Sequence, residues 1–371
     1  MRRIGVGVIG ASLGNWASTA HLPALRALDE YELRALATSR QESADAAAEA
    51  FGVPTASDDY RELVANPEVE LVVVAVKVPD HFELISAALA AGKNVVSEWP
   101  LAVDAEEAEA LRADAASRGV RTAVTLQGRF QAAVRYARDL VADGYVGRVM
   151  SSNYVGSGIG WVPNPPPQWK YLFAGDNGVT TLAITGMHAL DTIAFVLGEP
   201  VALSAHLGIG HRRVRTEAEV GGGELVEVRA PDQVAIAGRL EDDAVLSCFF
   251  RGGVSRAVDL HWEINGTEGD LRFTAPGNGN VQNAQLTLFG GRGGDTAVRE
   301  LAIPGSYEES VPDGLVGPPR VYARLYQALA RDFANDSDEV PDFGYATARH
   351  RIVDGLRAGG WSGAGSEARA A

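Results

Sequence analysis

Short apolar runs alternate with stretches of helical periodicity along the first third of the chain. The apolar runs are rich in Val, Ile and Leu, which is typical of parallel strands buried on both faces. Helical stretches such as residues 81–91 end at a glycine, a residue that commonly closes a helix. The predicted strands are residues 4–9, 33–37, 71–76, 94–97 and 122–125, and the predicted helices are residues 43–51, 81–91 and 105–118. This alternation predicts right-handed βαβ crossovers and a doubly wound parallel sheet, the Rossmann form of an α/β fold.

The pattern changes after residue 126. A helix is predicted at 132–143, and then apolar and polar residues alternate along longer segments, with few helices between them. The best of these segments are residues 149–155, 233–240, 244–250, 259–266 and 270–274, and the last predicted helices are 320–335 and 346–358. Alternation of this kind predicts an α+β domain with a large, mostly antiparallel open sheet. We therefore predict a dinucleotide-binding Rossmann domain at 1–125, a substrate and oligomerisation domain at 126–358, and a flexible tail at 359–371.

Composition and charge narrow the classes of partner. The 371 residues are enough for two domains. A net charge of −15 disfavours binding to nucleic acid or to anionic membranes. Cys248 is the only cysteine, so an intrachain disulfide is excluded, zinc spacings are absent, and no metal site is expected. Because a strand pattern starts at Ile4 and no apolar run approaches the roughly 18 residues of a membrane span, we expect a cytoplasmic protein.

The first predicted strand runs into a glycine-containing turn, Gly10-Ala11-Ser12-Leu13-Gly14-Asn15, followed by a predicted helix. A dinucleotide-binding turn belongs at this point, because the amides of a helix amino end face the diphosphate. Ser12 stands where the usual glycine pattern has its middle glycine. The predicted contacts with the cofactor here are Gly10, Ser12, Leu13, Gly14 and Trp16.

The end of the second predicted strand bears on the choice between NAD and NADP. An acid is expected there for the ribose hydroxyl of NAD, but the sequence has Thr38-Ser39-Arg40. Hydroxyls and a guanidinium suit a 2′-phosphate, so NADP is favoured over NAD. The alternative is that Arg40 is only a solvated residue in the first turn of the next helix.

Several motifs, in the right order, resemble the Gfo/Idh/MocA oxidoreductases. They are His21-Leu22-Pro23-Ala24-Leu25, Gly92-Lys93-Asn94-Val95-Val96-Ser97-Glu98-Trp99-Pro100-Leu101, Gly128-Arg129-Phe130 through Gly144-Tyr145-Val146-Gly147, and Gly186-Met187-His188-Ala189-Leu190-Asp191. The resemblance implies a nicotinamide cofactor, hydride transfer on a sugar or a sugar-derived polyol, and a homodimer or homotetramer formed through the C-terminal sheet. It also implies a cis peptide before Pro100.

The chain departs from that family at two polar positions. Trp99 stands where the family has the lysine of Glu-Lys-Pro, and Ile184 stands where an aspartate is common. An indole has no proton that titrates near neutral pH, so the usual acid or base is missing. With Lys77-Val78-Pro79-x-His81 and the long first turn, these departures resemble a branch that includes the fungal repressor of the galactose regulon. A non-catalytic NAD(P)-binding sensor or regulatory protein is therefore the alternative function.

The candidate site residues follow from position and from this resemblance. His188 is the main candidate acid or base, with Lys77 and Tyr171 as further candidates. Glu98 is expected to bind the nicotinamide ribose or to cap the following turn, and Trp99 to form a flat wall of the site or to pack between domains. The predicted cofactor contacts are completed by Lys77, His81, Trp99 and Gln127. The predicted substrate contacts are Trp99, Trp169, Lys170, His188 and Asp191, whereas Arg129 is expected to pair with a carboxylate or to contact a ligand.

Overall fold

The chain divides into two units, each described by itself. The computed structural model describes residues 2–158, 160–218, 222–308 and 311–363. The first unit, here the Rossmann unit, comprises Met1–Gln127 and Glu309–His350, and the second unit comprises Gly128–Glu308 and Arg351–Ala371. The first break lies close to the predicted boundary at residue 125. Residues 309–350 group with the Rossmann unit, whereas the sequence pattern assigns the residues up to 358 to the second domain.

The Rossmann unit contains the predicted doubly wound parallel sheet. Its strand order within the described residues is β3-β2-β1-β4-β5-β6, and every pair of neighbouring strands runs parallel. The strands are β1 (Ile4–Ile9), β2 (Tyr31–Ala37), β3 (Thr55–Ser57), β4 (Leu71–Val74), β5 (Asn94–Glu98) and β6 (Thr122–Thr125), and the helices are α1 (Leu22–Ala27), α2 (Gln41–Phe51), α3 (Tyr60–Ala65), α4 (His81–Ala90) and α5 (Ala105–Arg118). The order reverses between β1 and β4, the place where such sheets bind dinucleotides.

The second unit is built on the predicted open sheet. Among the described residues its order is β16-β15-β14-β13-β7-β12-β11-β8-β17, in which β7 and β12 are parallel and the other neighbours antiparallel. The elements are α6 (Ala132–Ala142), β7 (Val149–Gly158), α7 (Met187–Leu197), β8 (Pro200–Gly208), β9 (Arg213–Arg215), β10 (Leu225–Glu227), β11 (Gln233–Leu240), β12 (Val245–Gly252), β13 (Leu260–Gly266), β14 (Gly269–Ala275), β15 (Thr287–Arg292), β16 (Arg299–Glu300) and β17 (Gly360–Ser362). Residues alternate along the strands, so one face buries Tyr154, Phe250 and Trp262.

The C-terminal segment holds two helices, α8 (Pro318–Asn335) and α9 (Phe343–Arg357), and the division between the units falls within α9. Helix α8 buries an apolar stripe in the Rossmann unit, where the hydroxyl of Tyr31 donates to the carbonyl of Tyr326 at 2.7 Å. The predicted tail at 359–371 begins instead with β17, which pairs with β8, and residues 364–371 lie outside the described residues. Within the described ranges, no helix is long and apolar enough to cross a membrane.

Candidate functional site

A cavity of about 450 Å³ opens at the carboxyl ends of β1, β2 and β4. Its position matches the switch point of the sheet, where dinucleotides bind in this architecture. The residues that line it are Ile9, Gly10, Ser12, Asn15, Ala37, Thr38, Ser39, Asp58, Tyr60, Ala75, Val76, Lys77, Asp80, Glu83 and Leu84. The structure therefore brings together five of the predicted cofactor contacts, namely Gly10, Ser12, Thr38, Ser39 and Lys77.

Gly10 is required where the first turn passes over the end of β4, the strand beside β1. Its φ is +96°, and a Cβ at this position would lie 2.3 Å from the carbonyl oxygen of Ala75. Gly14 also has a positive φ, +81°, but a Cβ there would meet no atom within 4 Å. Gly10 is thus required both by the close contact with Ala75 and by its positive φ, whereas Gly14 is favoured by its positive φ alone.

A helix begins directly after this turn. It starts with a π-helical turn at Ala17–His21 and continues as α1. The carbonyl of Asn15 accepts hydrogen bonds from the Thr19 amide at 3.0 Å and the Ser18 hydroxyl at 2.9 Å, which fixes the start of the helix. Since Ser12 and Asn15 line the cavity, the amino end of the helix lies beside it. Free amides and the helix dipole at this place fit the diphosphate of a dinucleotide.

The loop after β2 forms the rim of the cavity. The hydroxyls of Thr38 and Ser43 lie 2.6 Å apart, and each is 2.8 Å from the carbonyl oxygen of Arg40. Thr38 therefore shapes the loop, while Ser39 and Arg40 are exposed. Arg40 makes no ion pair within the described part of the chain, so its guanidinium is available to an anion.

Acidic residues that sequence reasoning missed line the same cavity. They are Asp58, Asp80 and Glu83, and the hydroxyl of Tyr60 donates to Glu83 at 2.6 Å. Asp58 and Tyr60 come after the short strand β3, which the apolar pattern did not reveal. Lys77 is exposed and lines the cavity as predicted.

His81 lies beneath the turn that follows β4. Its ring is 0% exposed, and its nitrogens lie 3.3 Å from the carbonyl oxygens of Leu101 and Val76. Burial lowers the pKa of His81 below its ordinary value. This environment favours a neutral ring that shapes the turn over the predicted contact with the cofactor.

Glu98 ends β5 in a cluster of hydrogen-bond donors. Its Oε1 accepts from the hydroxyl of Tyr322 at 2.8 Å, from Nε2 of His21 at 3.0 Å and from the hydroxyl of Thr125. Burial acts to raise the pKa of Glu98, but the hydrogen bond and charge interaction with His21, together with the other donors, outweigh it and lower the pKa. Glu98 is thus held as an anion at the carboxyl edge of the sheet.

The two tryptophans predicted to contact the cofactor are both engaged inside the Rossmann unit. The indole N–H of Trp16 donates to the hydroxyl of Tyr322 at 2.9 Å. Trp99 is 4% exposed, and its ring centroid lies 4.6 Å from that of His350. The expected cis peptide between Trp99 and Pro100 is present. Gln127, at the end of the first segment of this unit, is also buried.

His188 and Asp191 lie on α7 of the second unit. Asp191 is 1% exposed and accepts from Nε of Arg129 at 3.2 Å and also from Nη2, a two-point contact. The Arg129 guanidinium lies 5.2 Å from the ring centroid of Phe195. This buried pair favours a structural role for Asp191 over the predicted substrate contact. His188 is buried one helical turn before Thr192, whose hydroxyl donates to the carbonyl of His188 at 2.8 Å.

The remaining predicted substrate contacts lie together on a short helical segment, Pro167–Phe173. Lys170 pairs with Glu224 at 2.6 Å on the surface, and Trp169 is half-buried. Burial raises the pKa of Tyr171, so its phenol stays protonated near neutral pH. The nearby Trp161 is a packing residue, because its indole N–H donates to the carbonyl of Leu172 at 3.0 Å.

Comparison with known proteins decides the family. Residues 4–126 match the GFO_IDH_MocA family, described as an oxidoreductase family with an NAD-binding Rossmann fold, and residues 132–275 match the C-terminal domain of Gal80p. A 1,5-anhydro-D-fructose reductase of Ensifer adhaerens is 30% identical over 271 residues, which are 71% of this chain and 74% of the reductase. The chain belongs to the Gfo/Idh/MocA oxidoreductase family.

Two other relatives of this Gfo/Idh/MocA protein match over most of their length. The dehydrogenase aclE of Aspergillus oryzae is 28% identical and covers 96% of this chain and 95% of its own. The galactose/lactose metabolism regulatory protein GAL80 of Saccharomyces cerevisiae is 28% identical and covers 91% of this chain and 84% of its own. The relatives thus include both a dehydrogenase and a regulatory protein.

Solved structures share the fold of this family member. A super-repressor mutant of Gal80p from Saccharomyces cerevisiae has a TM-score of 0.86 at 22% identity, covering 98% of each chain. A levoglucosan dehydrogenase in complex with NADH and levoglucosan has a TM-score of 0.81 at 22% identity, covering 96% of this chain and 97% of the dehydrogenase. The predicted combination of a Rossmann sheet with a larger, mostly antiparallel sheet is confirmed.

Proposed function

We propose that the protein is an NAD(P)-dependent oxidoreductase that transfers hydride between the cofactor and a sugar or sugar-derived polyol. The observation that carries the proposal is the cavity at the switch point of the sheet, with Gly10 in a close turn and a helix amino end beside it. The names of relatives support the substrate class, because they include levoglucosan dehydrogenase and 1,5-anhydro-D-fructose reductase.

The residues divide the task by their positions. The turn from Gly10 to Gly14 and the following helix would hold the diphosphate, with Ser12 and Leu13 in the turn, and Glu98 would accept a hydrogen bond from a ribose hydroxyl. When bound, the nicotinamide accepts hydride from a carbinol carbon or returns it to a carbonyl carbon. His188 is the proposed proton acceptor for the substrate hydroxyl, because an imidazole titrates near neutral pH and Trp99 does not.

Further groups complete the proposal. Lys77, which lines the cavity, is another proposed proton donor or acceptor, and the phenol of Tyr171 is a further proposed proton donor. The indole of Trp169 and the ammonium of Lys170 are the proposed contacts with a sugar ring, since an aromatic face beside a polar donor suits such a ring. Glu224 would have to release Lys170 for that contact.

Activity is tested by following nicotinamide absorbance with levoglucosan, 1,5-anhydro-D-fructose and a panel of sugars and polyols. We expect turnover with at least one of them, and we expect His188→Ala to reduce it by about 100-fold or more, the usual contribution of a general acid or base. Tight cofactor binding without turnover across the panel would contradict this proposal.

That outcome would instead support the second candidate function, a non-catalytic NAD(P)-binding regulator. Trp99 favours it, because a buried indole replaces the titratable lysine of the family. A regulator should show the same partner binding after Trp99→Lys. Recovery of a partner only in the presence of cofactor would distinguish this function from catalysis.

The proposed cofactor preference is for NADP, and it depends on the rim of the cavity. Exposed Ser39 and Arg40 would contact a 2′-phosphate, whereas Asp58 is the nearby group that would disfavour one. We expect Arg40→Ala to weaken NADP binding by about tenfold, the loss of one charge-assisted contact, and to leave NAD binding within about twofold. Calorimetric titration with both cofactors checks this, and equal losses for both would contradict it.

The second unit is proposed to form a homodimer or homotetramer through the open face of its sheet. Val245 and Phe249 on β12 project to this face and are 59% and 39% exposed. We expect Phe249→Glu to convert the oligomer to monomers, because a buried carboxylate would face apolar groups of the other copy. Light scattering after size exclusion measures the change. Leu225→Glu, on β10 in a separate small sheet, is the matched control and should leave the mass unaltered.

A further inference from the structure

A buried hydrogen-bond network joins Glu98 to the C-terminal helix α8. Tyr322 and Tyr326 of this helix are both fully buried in the Rossmann unit. Tyr322 donates directly to Glu98 at 2.8 Å, while Tyr326 lies 2.6 Å from Nδ1 of His21, whose Nε2 lies 3.0 Å from Glu98. Residues more than two hundred positions apart in sequence are therefore linked to one carboxylate.

The chemistry of the partners fixes the direction of the hydrogen bonds that Glu98 receives. An ionised carboxylate can only accept, so Nε2 of His21 carries the proton that it donates to Glu98. Nδ1 of His21 accepts from the hydroxyl of Tyr326 in the neutral ring and donates to that hydroxyl in the protonated ring, so the contact at 2.6 Å fits both forms. The hydroxyl of Tyr322 donates to Glu98 and accepts from the indole of Trp16, so it is satisfied on both sides.

These donors all converge on one oxygen of Glu98. Tyr322, His21 and Thr125 each donate to Oε1. Among the residues that the structure describes, none donates to Oε2, and the side chain is 18% exposed. One carboxylate oxygen is therefore tied to the protein and the other is left for a ligand donor.

The position of Glu98 places that oxygen at the ligand-binding edge of the sheet. Strand β5 pairs in parallel with β4, with Ser97 opposite Val74. The residues that follow Val74, from Ala75 to Lys77, line the cavity. A dinucleotide spans both halves of such a sheet. The half of the dinucleotide that lies beyond the cavity would therefore extend toward β5 and β6.

We propose that His21, Tyr322 and Tyr326 are positioning residues that hold Glu98 as an anion with Oε2 open to a ribose hydroxyl of the bound dinucleotide, which makes α8 a part of the cofactor site. The inference rests on the proposed function for the presence of the dinucleotide. It assigns to the C-terminal segment a role in binding that its distance in sequence from the glycine turn would not suggest.

The pH dependence of cofactor binding distinguishes positioning residues from residues that only stabilise the fold, because only the loss of a positioning residue should change it. The titratable groups facing Glu98 are His21, His81, Tyr322 and Tyr326. The tyrosines stay protonated near neutral pH because burial raises their pKa values. Their hydroxyls are therefore donors throughout the range in which a carboxylate or a histidine titrates.

The experiment measures NADP and NAD affinity by calorimetry between about pH 3 and pH 8, a range that includes the usual pKa values of both a carboxylate and a histidine. Tyr322→Phe removes one donor to Glu98 without removing the ring. It should raise the pH at which binding is half lost on the acid side by about one unit, the usual effect of one hydrogen bond to a charge. Tyr326→Phe should give a smaller shift in the same direction, because it acts through His21.

Two further variants separate positioning from stability. Tyr31→Phe deletes a hydroxyl that also bonds α8, at the carbonyl of Tyr326, but makes no bond to Glu98, so it should lower the unfolding temperature without altering the pH profile. Glu98→Gln should weaken binding by about tenfold and remove the acid limb.

The outcomes distinguish this inference from the proposed function. Wild-type pH profiles and affinities in both Tyr322→Phe and Tyr326→Phe would overturn the inference while leaving the function intact. A wild-type protein that binds neither cofactor at pH 7 would overturn the function and the inference with it. The inference is supported if the effect on the pH profile of cofactor binding decreases from variant to variant. The expected order is Glu98→Gln, Tyr322→Phe, Tyr326→Phe and Tyr31→Phe.

Discussion

Replacing Gly10 with alanine should weaken dinucleotide binding at least 100-fold and destabilise the Rossmann unit. The added Cβ would lie 2.3 Å from the carbonyl oxygen of Ala75, and the backbone at Gly10 has a φ of +96° that an alanine rarely adopts. The contact involves backbone rather than a flexible side chain, so the turn or β4 must shift. A strain of about 3 kcal/mol corresponds to at least a 100-fold loss of affinity when binding must restore the turn.

Two glycine variants serve as graded controls for Gly10→Ala. Gly52→Ala, at the end of α2, has a positive φ but meets no atom within 4 Å, so it reports the conformational cost alone. Gly14→Ala has the same open surroundings but lies in the turn, and we expect a loss of affinity of up to about tenfold. Calorimetry and thermal unfolding measure all three variants. Retention of wild-type affinity by Gly10→Ala would contradict the close approach.

Removing Asp191 should produce the largest loss of stability in the second unit. Its carboxylate makes a two-point contact with Arg129, and both side chains are buried. Asp191→Ala removes a carboxylate that makes a two-point contact with a buried guanidinium, and breaking a buried pair in this way typically costs about 3 to 5 kcal/mol. The free energy of unfolding in urea, followed through the transition of this unit, measures the loss.

An exposed ion pair of the same unit gives the matched control for Asp191→Ala. Arg239 pairs with Asp243 at 2.9 Å on the surface, and Arg239→Met should change the free energy of unfolding by less than about 0.5 kcal/mol. The double variant Arg129→Met, Asp191→Leu should be more stable than Asp191→Ala, because it removes both charges of the buried pair. If Asp191→Ala lowered the free energy of unfolding no more than Arg239→Met does, this result would contradict the structural role of Asp191.

The sequence predicted the Rossmann sheet well because each of its central strands is buried on both faces. Such strands are continuous apolar runs, and β1 and β6 appear at the predicted residues. The strand β3 and the helix α3 escaped detection because they are only three and six residues long. Asp58 and Tyr60 were missed with them, because residues cannot be predicted to line a cavity when the strand and helix that position them are not predicted.

Long-range contacts were beyond the reach of local patterns. Helix α8 was predicted as a helix from its periodicity, but nothing in that periodicity shows which unit its apolar stripe packs in. The bonds of Tyr322 and Tyr326 to Glu98 and His21 therefore had no sequence signal. Conversely, His81 and Trp99 were singled out by position along the chain, and only the structure shows how deeply their rings are buried.

The most direct test of this account is calorimetric titration of the wild-type chain with NADP and with NAD at pH 7. We predict saturable binding of at least one cofactor with a micromolar dissociation constant, weakened at least 100-fold in Gly10→Ala and retained in Gly52→Ala. No heat of binding with either cofactor up to about millimolar concentration, an affinity weaker than about −4 kcal/mol, would contradict a dinucleotide site in the Rossmann unit.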